Sequence, residues 1–441
     1  MRGIAFALIM LGLIPFVAMR PYIGLLVWSW LGYMNPHRLT FGFAYSFPWV
    51  MLIAVITLLS LWVSKENKRI PMSAVSVLLV LFLLWTGFTT FFAVVPDVAS
   101  HRWLEFAKTL AMVFATLILV NTRERMHWLV WVIVVSLGFY GIKGGVFTIM
   151  RGGANHVFGP AGSFIADNND LAQALCMVLP LMRYLQLQAS KKLVKVGMGL
   201  AMFLTCVAIL GTYSRGGLVA LAVVSATLFL KSRWRITLAI ALVAVGMTAY
   251  NFMPAQWMER MDTIQHARQV NTFQTRVQSW EFAANVALHR PLVGGGFNVY
   301  ESNAMWSRYG PEGARPRAVH SIYFRVLGEQ GFPGIILFIA LLVASWRYCA
   351  KVRRRTRKMP AEKWAFDLAS MFQVSLLAYM TAGLATTSSY FDMSYQIMAM
   401  CAILHELATA STTVSGAYRT TGPSLARLSA GETLVNSSGA K

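Results

Sequence analysis

Apolar runs of about 20 residues recur along most of this chain, and each is long enough to cross a hydrocarbon layer as a helix. Such a pattern leaves room for few other folds. Of the 441 residues, 57% are hydrophobic and 13% are charged, about half the charged share of an ordinary soluble protein. A membrane β-barrel would show short alternating segments, and none is present. The sequence therefore predicts an all-α integral membrane protein. A net charge of +22 would also suit a nucleic-acid binder. Here the basic residues sit in short loops between apolar runs, as positive-inside topology requires, so no nucleic-acid partner is implied.

The basic loops KENKR (65–69), TRER (122–125), SKKLVK (190–195), KSRWR (231–235) and RYCAKVRRRTRK (347–358) read as cytoplasmic. Between them the expected spans are 46–64, 73–94, 104–121, 127–150, 169–188, 196–213, 217–231, 236–252, 334–350, 365–385 and 392–411. Residues 1–34 supply either one span, broken at Arg20-Pro21, or two short ones. One span brings the total to about 12 and leaves both termini cytoplasmic, the arrangement adopted here. Residues 1–18 resemble a signal peptide, but Arg20-Pro21 stands where a small-residue cleavage site would be, so an uncleaved span is expected. The resulting domains are a bundle of about nine spans (1–252), a large outer loop (253–333), three further spans (334–411) and a disordered Ser/Gly/Thr-rich cytoplasmic tail (412–441). Cys176, Cys206, Cys349 and Cys401 lack metal-ligand spacing and read as small buried apolar residues.

Alternation of sidedness puts loop 151–168, the turn GTYSRGG (211–217) and segment 253–333 on the outer face. That segment holds eight arginines (260, 268, 276, 290, 308, 315, 317 and 325), six acids and no lysine. An ordinary solvated loop would explain such charge. Topology disfavours positive charge on this side, however, and the absence of lysine points to fork geometry. A guanidinium grips phosphate through two parallel hydrogen bonds, which an ammonium cannot do. Arg215, flanked by Gly211, Gly216 and Gly217, reads either as an arginine snorkelling at the headgroups or as an anion site with bare backbone beside it. His320 has the side chain suited to accept a proton near neutrality. The following SIYFRVLGEQG has helical composition, which places His320 at a helix start. There the helix end and Arg315, Arg317 and Arg325 disfavour its protonated form.

No GxxxxGK[ST], HExxH, CxxC or DxD pattern stands on the outer face, so neither a metal nor a nucleotide cofactor is expected. Chemistry there needs a preactivated donor. A lipid-linked sugar pyrophosphate qualifies, with arginines stabilising the departing anion. A transporter of lipid-linked sugar or anions is the reading from another class, and it would place ionisable groups near mid-membrane. Here Lys143 and Glu105 lie within or near the ends of apolar runs, while charge concentrates on one face.

HSIYFRVLGEQGFPG (320–334) resembles the histidine motif of the O-antigen ligase/polymerase superfamily. RVQSWEFAANVALHRPLVGGGFNVY (276–300) is similar to its Arg-x-x-x-Trp helix and Pro-x-x-Gly-x-Gly turn, YSRGG (213–217) to its Ser-Arg-Gly element, and FGPAGSFIADNNDLAQAL (158–175) to its Asn-rich loop. NPHRLTFGFA (35–44) resembles the subgroup described as exosortase-associated O-glycosylation ligases. The resemblance implies a GT-C-like polytopic enzyme of the bacterial inner membrane with a large periplasmic loop between late spans. It implies metal-free transfer of a glycan from undecaprenyl pyrophosphate, with His320 catalytic, Arg215 and Arg276 on the pyrophosphate, and Asp392 as a possible accessory carboxylate. The expected reaction is inverting ligation of O antigen to a sugar of lipid A–core oligosaccharide, with Arg315 and Arg317 as helpers. O-antigen polymerase and protein O-oligosaccharyltransferase are the alternatives.

Overall fold

The computed structural model describes residues 2–231 and 271–420, with isolated positions 240, 243, 246 and 247 between them. Most of the expected span 236–252, the stretch with Arg260 and Arg268, and residues 421–441 lie outside the described residues. Every regular element described is helical: α1 (Arg2–Met19), α2 (Pro21–Met34), α3 (Phe43–Ser46), α4 (Trp49–Val63), α5 (Ala74–Phe91), α6 (Pro96–Leu119), α7 (Arg123–Met150), α8 (Asn168–Gln188), α9 (Lys192–Gly211) and α10 (Arg215–Lys231). After the gap come α11 (Asn271–His289), α12 (Asn303–Tyr309), α13 (Ile322–Thr356), α14 (Lys363–Ala382) and α15 (Asp392–Thr420).

Capping residues set several starts. Ser73, Thr122 and Asp167 each accept a backbone N–H of the first turn of α5, α7 and α8. Helices pack closely where side chains are absent. On α7 a Cβ at Gly141 would stand 2.3 Å from Thr205 Oγ1, and one at Gly145 2.2 Å from the Leu204 carbonyl. This small-xxx-small stripe seats α7 against α9.

Six helices are long and apolar enough to cross a membrane by length and composition: Arg2–Met19, Ala74–Phe91, Arg123–Met150, Lys192–Gly211, Ile322–Thr356 and Pro360–Ala382. Trp49–Val63 and Arg215–Leu230 are apolar but shorter. Among the described residues the fold is thus all-helical and suits a multi-span membrane protein, and these helices do not fix the number of spans at 12.

Contacts sort the helix ends. At one end Arg125 pairs with Glu66 at 2.7 Å, Tyr22 donates to the Arg125 carbonyl at 2.8 Å, and Ser60 donates to the Ala18 carbonyl at 2.8 Å. At the other, Phe6 meets Trp49 edge-on at 5.6 Å, Asn168 donates to the Thr212 carbonyl at 2.8 Å, and the Ile322 N–H bonds the Gly383 carbonyl at 2.8 Å. The first 34 residues are therefore a helical hairpin, not one span. Arg20 breaks the chain in extended conformation and Pro21 restarts it at the first helical position, where its missing N–H costs nothing. Consequently α1 begins at the end that carries loop 151–167, opposite to the end expected for the amino terminus.

Helix α13 begins at Ile322 and is kinked at Gly331, whose φ of 69° is non-helical. A Cβ there would lie 2.3 Å from the Leu292 carbonyl. The turn 291–296 docks against this kink by backbone hydrogen bonds: Gly295 N–H to Gly328 at 2.8 Å, Gly296 N–H to Glu329 at 2.9 Å and Phe332 N–H to Pro291 at 2.8 Å. Glycines of the two motifs thus exist for each other's backbone.

Candidate functional site

Three segments far apart in sequence meet above the bundle. The first is the end of loop 151–167. Asp167 caps α8 through the Asn169 N–H at 2.8 Å and also accepts from Asn169 Nδ2 at 3.0 Å. The second is YSRGG. Ser214 donates to Asn169 Oδ1 at 2.7 Å and accepts the Gly217 N–H at 3.0 Å, so it begins α10 and makes Arg215 the first helical residue. The Tyr213 ring stacks on His156 at 4.3 Å and 15°, tying the turn to the loop from the other side.

Helix packing requires the glycines of that turn. A Cβ on Gly211 would stand 2.1 Å from Thr148 Oγ1, one on Gly216 2.7 Å from the Ala385 Cβ, and one on Gly217 2.6 Å from the Ala172 Cβ. Neighbouring helices press on them, a packing reason for glycine that the sequence alone does not show.

The third segment joins α11 to the head of α13. Trp280 lies flat on Phe324, with centroids 5.4 Å apart and planes 6° apart. Phe282 stacks on Trp306 at 4.3 Å and 3°. Arg276 stands one turn before Trp280, and His320 stands four residues before Phe324. The aromatic stack therefore registers the arginine to the histidine. His320 adopts a left-handed backbone, φ 46°, uncommon outside glycine, and it precedes the start of α13 instead of lying within it.

Burial pushes the His320 imidazole below its ordinary pKa, and the Arg276 guanidinium pushes the same way, while Asp167 opposes both. A neutral imidazole is favoured, and among the described residues one cation and one carboxylate act on it. Arg315, Arg317 and Arg325, expected to lower this pKa, are not the charges that act on it.

Each of those three is placed elsewhere. Arg325 is part-buried and committed: it pairs with Glu329 at 3.1 Å and donates to Thr387 O at 2.6 Å and Asn298 Oδ1 at 3.0 Å. The rings of Tyr300 and Tyr390 flank it at 5.2 and 5.3 Å. Arg317 folds back on the Arg315 carbonyl at 3.0 Å and lies over the Trp306 ring at 6.0 Å. Arg315 is exposed. Asp392 is buried at the head of α15, with one carboxylate oxygen 3.5 Å from where a Gly32 Cβ would be. Its carboxylate faces α2.

The structure thus joins His320, Arg276 and Asp167 in one corner, and links Arg215 to it through Ser214 and Asn169. It does not gather Arg315, Arg317 or Asp392 there. Asp167, Asn169 and Trp280 were missed as site residues. The Asp-Asn-Asn-Asp run before an apolar stretch is a capping signal and could have flagged the first two. Among the described residues, no group of three or more His, Cys, Asp or Glu is placed to hold a metal ion.

Residues 200–339 match the family model described as O-antigen ligase, and residues 1–190 match a family of unknown function (DUF5935). No curated protein matches the chain. The corner just described, apart from Asp167 and Asn169, falls within the first match. The match over residues 200–339 supports the O-antigen ligase superfamily and a ligase- or polymerase-type glycan activity in a bacterial multi-pass membrane protein.

Proposed function

We propose that this protein is an inverting glycan ligase that transfers O antigen from undecaprenyl pyrophosphate to a sugar of lipid A–core oligosaccharide, on the periplasmic face of the inner membrane. The observation that carries the reading is the convergence of a half-buried histidine, an arginine and a carboxylate from three distant motifs. His320, neutral at working pH, takes the proton of the acceptor hydroxyl as that oxygen attacks the anomeric carbon. The bond from that carbon to the pyrophosphate oxygen breaks on the opposite face, which inverts the centre. Arg276 and Arg215 receive the departing dianion, where a bidentate fork is worth most because charge is developing in a dry site. Asp167 opposes excessive loss of imidazole basicity and fixes Asn169, which holds the Ser214–Arg215 turn. Arg315 and Arg317, at the rim, guide the anionic donor inward. Asp392, turned toward α2, supports the helix contact and takes no direct part.

Reconstitution decides among acceptors. Purified protein is given a lipid-pyrophosphate glycan and, in separate reactions, core lipid, peptide or a second lipid-linked glycan. Extension of core lipid alone supports the ligase. Extension of the second glycan or of peptide would replace it by a polymerase or a protein O-oligosaccharyltransferase. Movement of the donor across a bilayer with no product in any reaction would replace the enzyme by a transporter.

A further inference from the structure

A second cationic corner lies against the same loop on the side of the amino-terminal hairpin. Arg38 belongs to the short 3-10 turn Pro36–Leu39 that follows α2, and its guanidinium lies over the Tyr45 ring at 4.9 Å. It reaches loop 151–167, where a Cβ on Gly162 would stand 3.5 Å from the Arg38 Cζ. Its Nε is buried and has no hydrogen-bond partner among the described residues.

A cavity of about 410 Å³ opens beside Arg38, and a second of about 450 Å³ is lined by Arg2. Phe41 lines both, so the two cavities adjoin, with one guanidinium lining each, and together they are called the groove below. Between the two cations the wall is apolar and open: Ile4 is 69% exposed, Leu8 64%, Phe41 80% and Phe43 66%. Neither arginine has a carboxylate partner among the described residues. Residues 1–65 contain no acid at all.

We propose that this groove is a binding site for an anionic, phosphate-bearing lipid, with its headgroup on Arg38 and an acyl chain along α1 over Ile4 and Leu8. Two cations without local acids favour a net negative headgroup and repel a zwitterionic one that carries its own ammonium. The apolar wall between them demands a chain, which free phosphate lacks. The site uses none of the residues assigned to transfer and stands whether or not that assignment does.

The test uses the full-length protein in detergent with diazirine-bearing phosphatidylglycerol or phosphatidylcholine, photolysed and mapped by mass spectrometry. Phosphatidylglycerol is expected to label residues 2–8 and 38–45 in excess of phosphatidylcholine, by about fivefold for each engaged arginine. Arg38→Gln should remove about fivefold of that labelling, Arg38→Lys should keep most of it, and excess inorganic phosphate should leave it intact. Labelling of the exposed α9 face at Leu193 should not change. Equal labelling by the two lipids, or no loss in a folded Arg38→Gln protein, would overturn the proposal. Loss of labelling in inorganic phosphate would reassign the groove to a free anion. Arg2→Gln, at the exposed start of α1, gives the same readout without disturbing the packed turn.

Discussion

The two arginines Arg276 and Arg325 come from one segment of the chain and stand near one end of the bundle, yet they live in different surroundings. Arg325 is enclosed by a carboxylate, a backbone carbonyl, an amide and two tyrosine rings. Its partner Glu329 is 1% exposed and also accepts the Asn298 N–H at 2.9 Å. Arg276 is half-buried, on a helix whose next turn is stacked on the head of α13, and its charge bears on His320. The first arginine is bound up in architecture, holding the turn 291–298 onto α13. The second, in the function proposed above, acts on the reacting groups. Charge and residue type are identical in the two cases, so the difference lies wholly in which neighbours the fold supplies.

The sharpest way to break the comparison is at its catalytic side. His320→Ala should lower transfer by about two to four orders of magnitude while lipid-linked donor still binds, read by product formation and by donor retention. If transfer persists and donor binding fails instead, His320 is a phosphate contact.

On the architectural side, Arg325→Ala strips a buried carboxylate of its partner. It should destabilise the fold by about 3–5 kcal/mol, seen as an early thermal transition in detergent. An unchanged transition, with activity alone lost, would move Arg325 from framework to site.

Arg276→Lys keeps the charge and loses the fork. Transfer should fall about a hundredfold or more, nearly as far as in Arg276→Ala, with the thermal transition unmoved. Near-normal transfer by the lysine variant would make Arg276 a plain counter-charge.

A smaller effect concerns pH. The working form of a general base is the neutral one, so activity is present above the His320 pKa and is lost as pH falls through it. Burial and Arg276 hold that pKa below the ordinary value, which extends activity toward acid. Asp167 acts the other way. Asp167→Asn should shift the acid limb of the rate profile to lower pH, and Arg276→Gln should shift the residual activity's limb to higher pH. Opposite movements would mean that the limb belongs to another group.

Smallest of all is Arg315→Ala. This exposed residue should change stability by no more than about 0.5 kcal/mol and lower the donor association rate mainly at low salt.

Much of this was legible in order but not in role. The motif around His320 and the one after Arg276 were readable as strings. The work of their glycines was not, because a close backbone approach such as Gly331 on the Leu292 carbonyl leaves no mark in either string alone. The same holds for Gly216 and Gly217, whose partners Ala385 and Ala172 are remote in sequence. Arg315 and Arg317 were grouped with His320 because they are near it in sequence. The chain from 315 to 320 has no regular structure, and Arg317 turns back onto Trp306. Asp392 was placed at the correct helix start, but its side chain answers to α2, which adjacency in sequence does not reveal.

By itself the sequence determined that this chain is helical and inserts in a membrane. Both follow from local quantities: the length of each apolar run, and the need to satisfy every backbone group within its own helix once water is absent. It also determined that a segment rich in arginine and free of lysine, with His320 in it, stands between late apolar runs. Only the tertiary structure decided that residues 1–34 fold as a hairpin, because Arg20-Pro21 permits either a kink or a turn and contacts with Trp49 and Arg125 choose between them. Only the tertiary structure decided which arginine faces the histidine. Helix packing alone brings α11, α13 and the loop before α8 together, and an electrostatic neighbour is a matter of distance through space, which order along a chain does not encode.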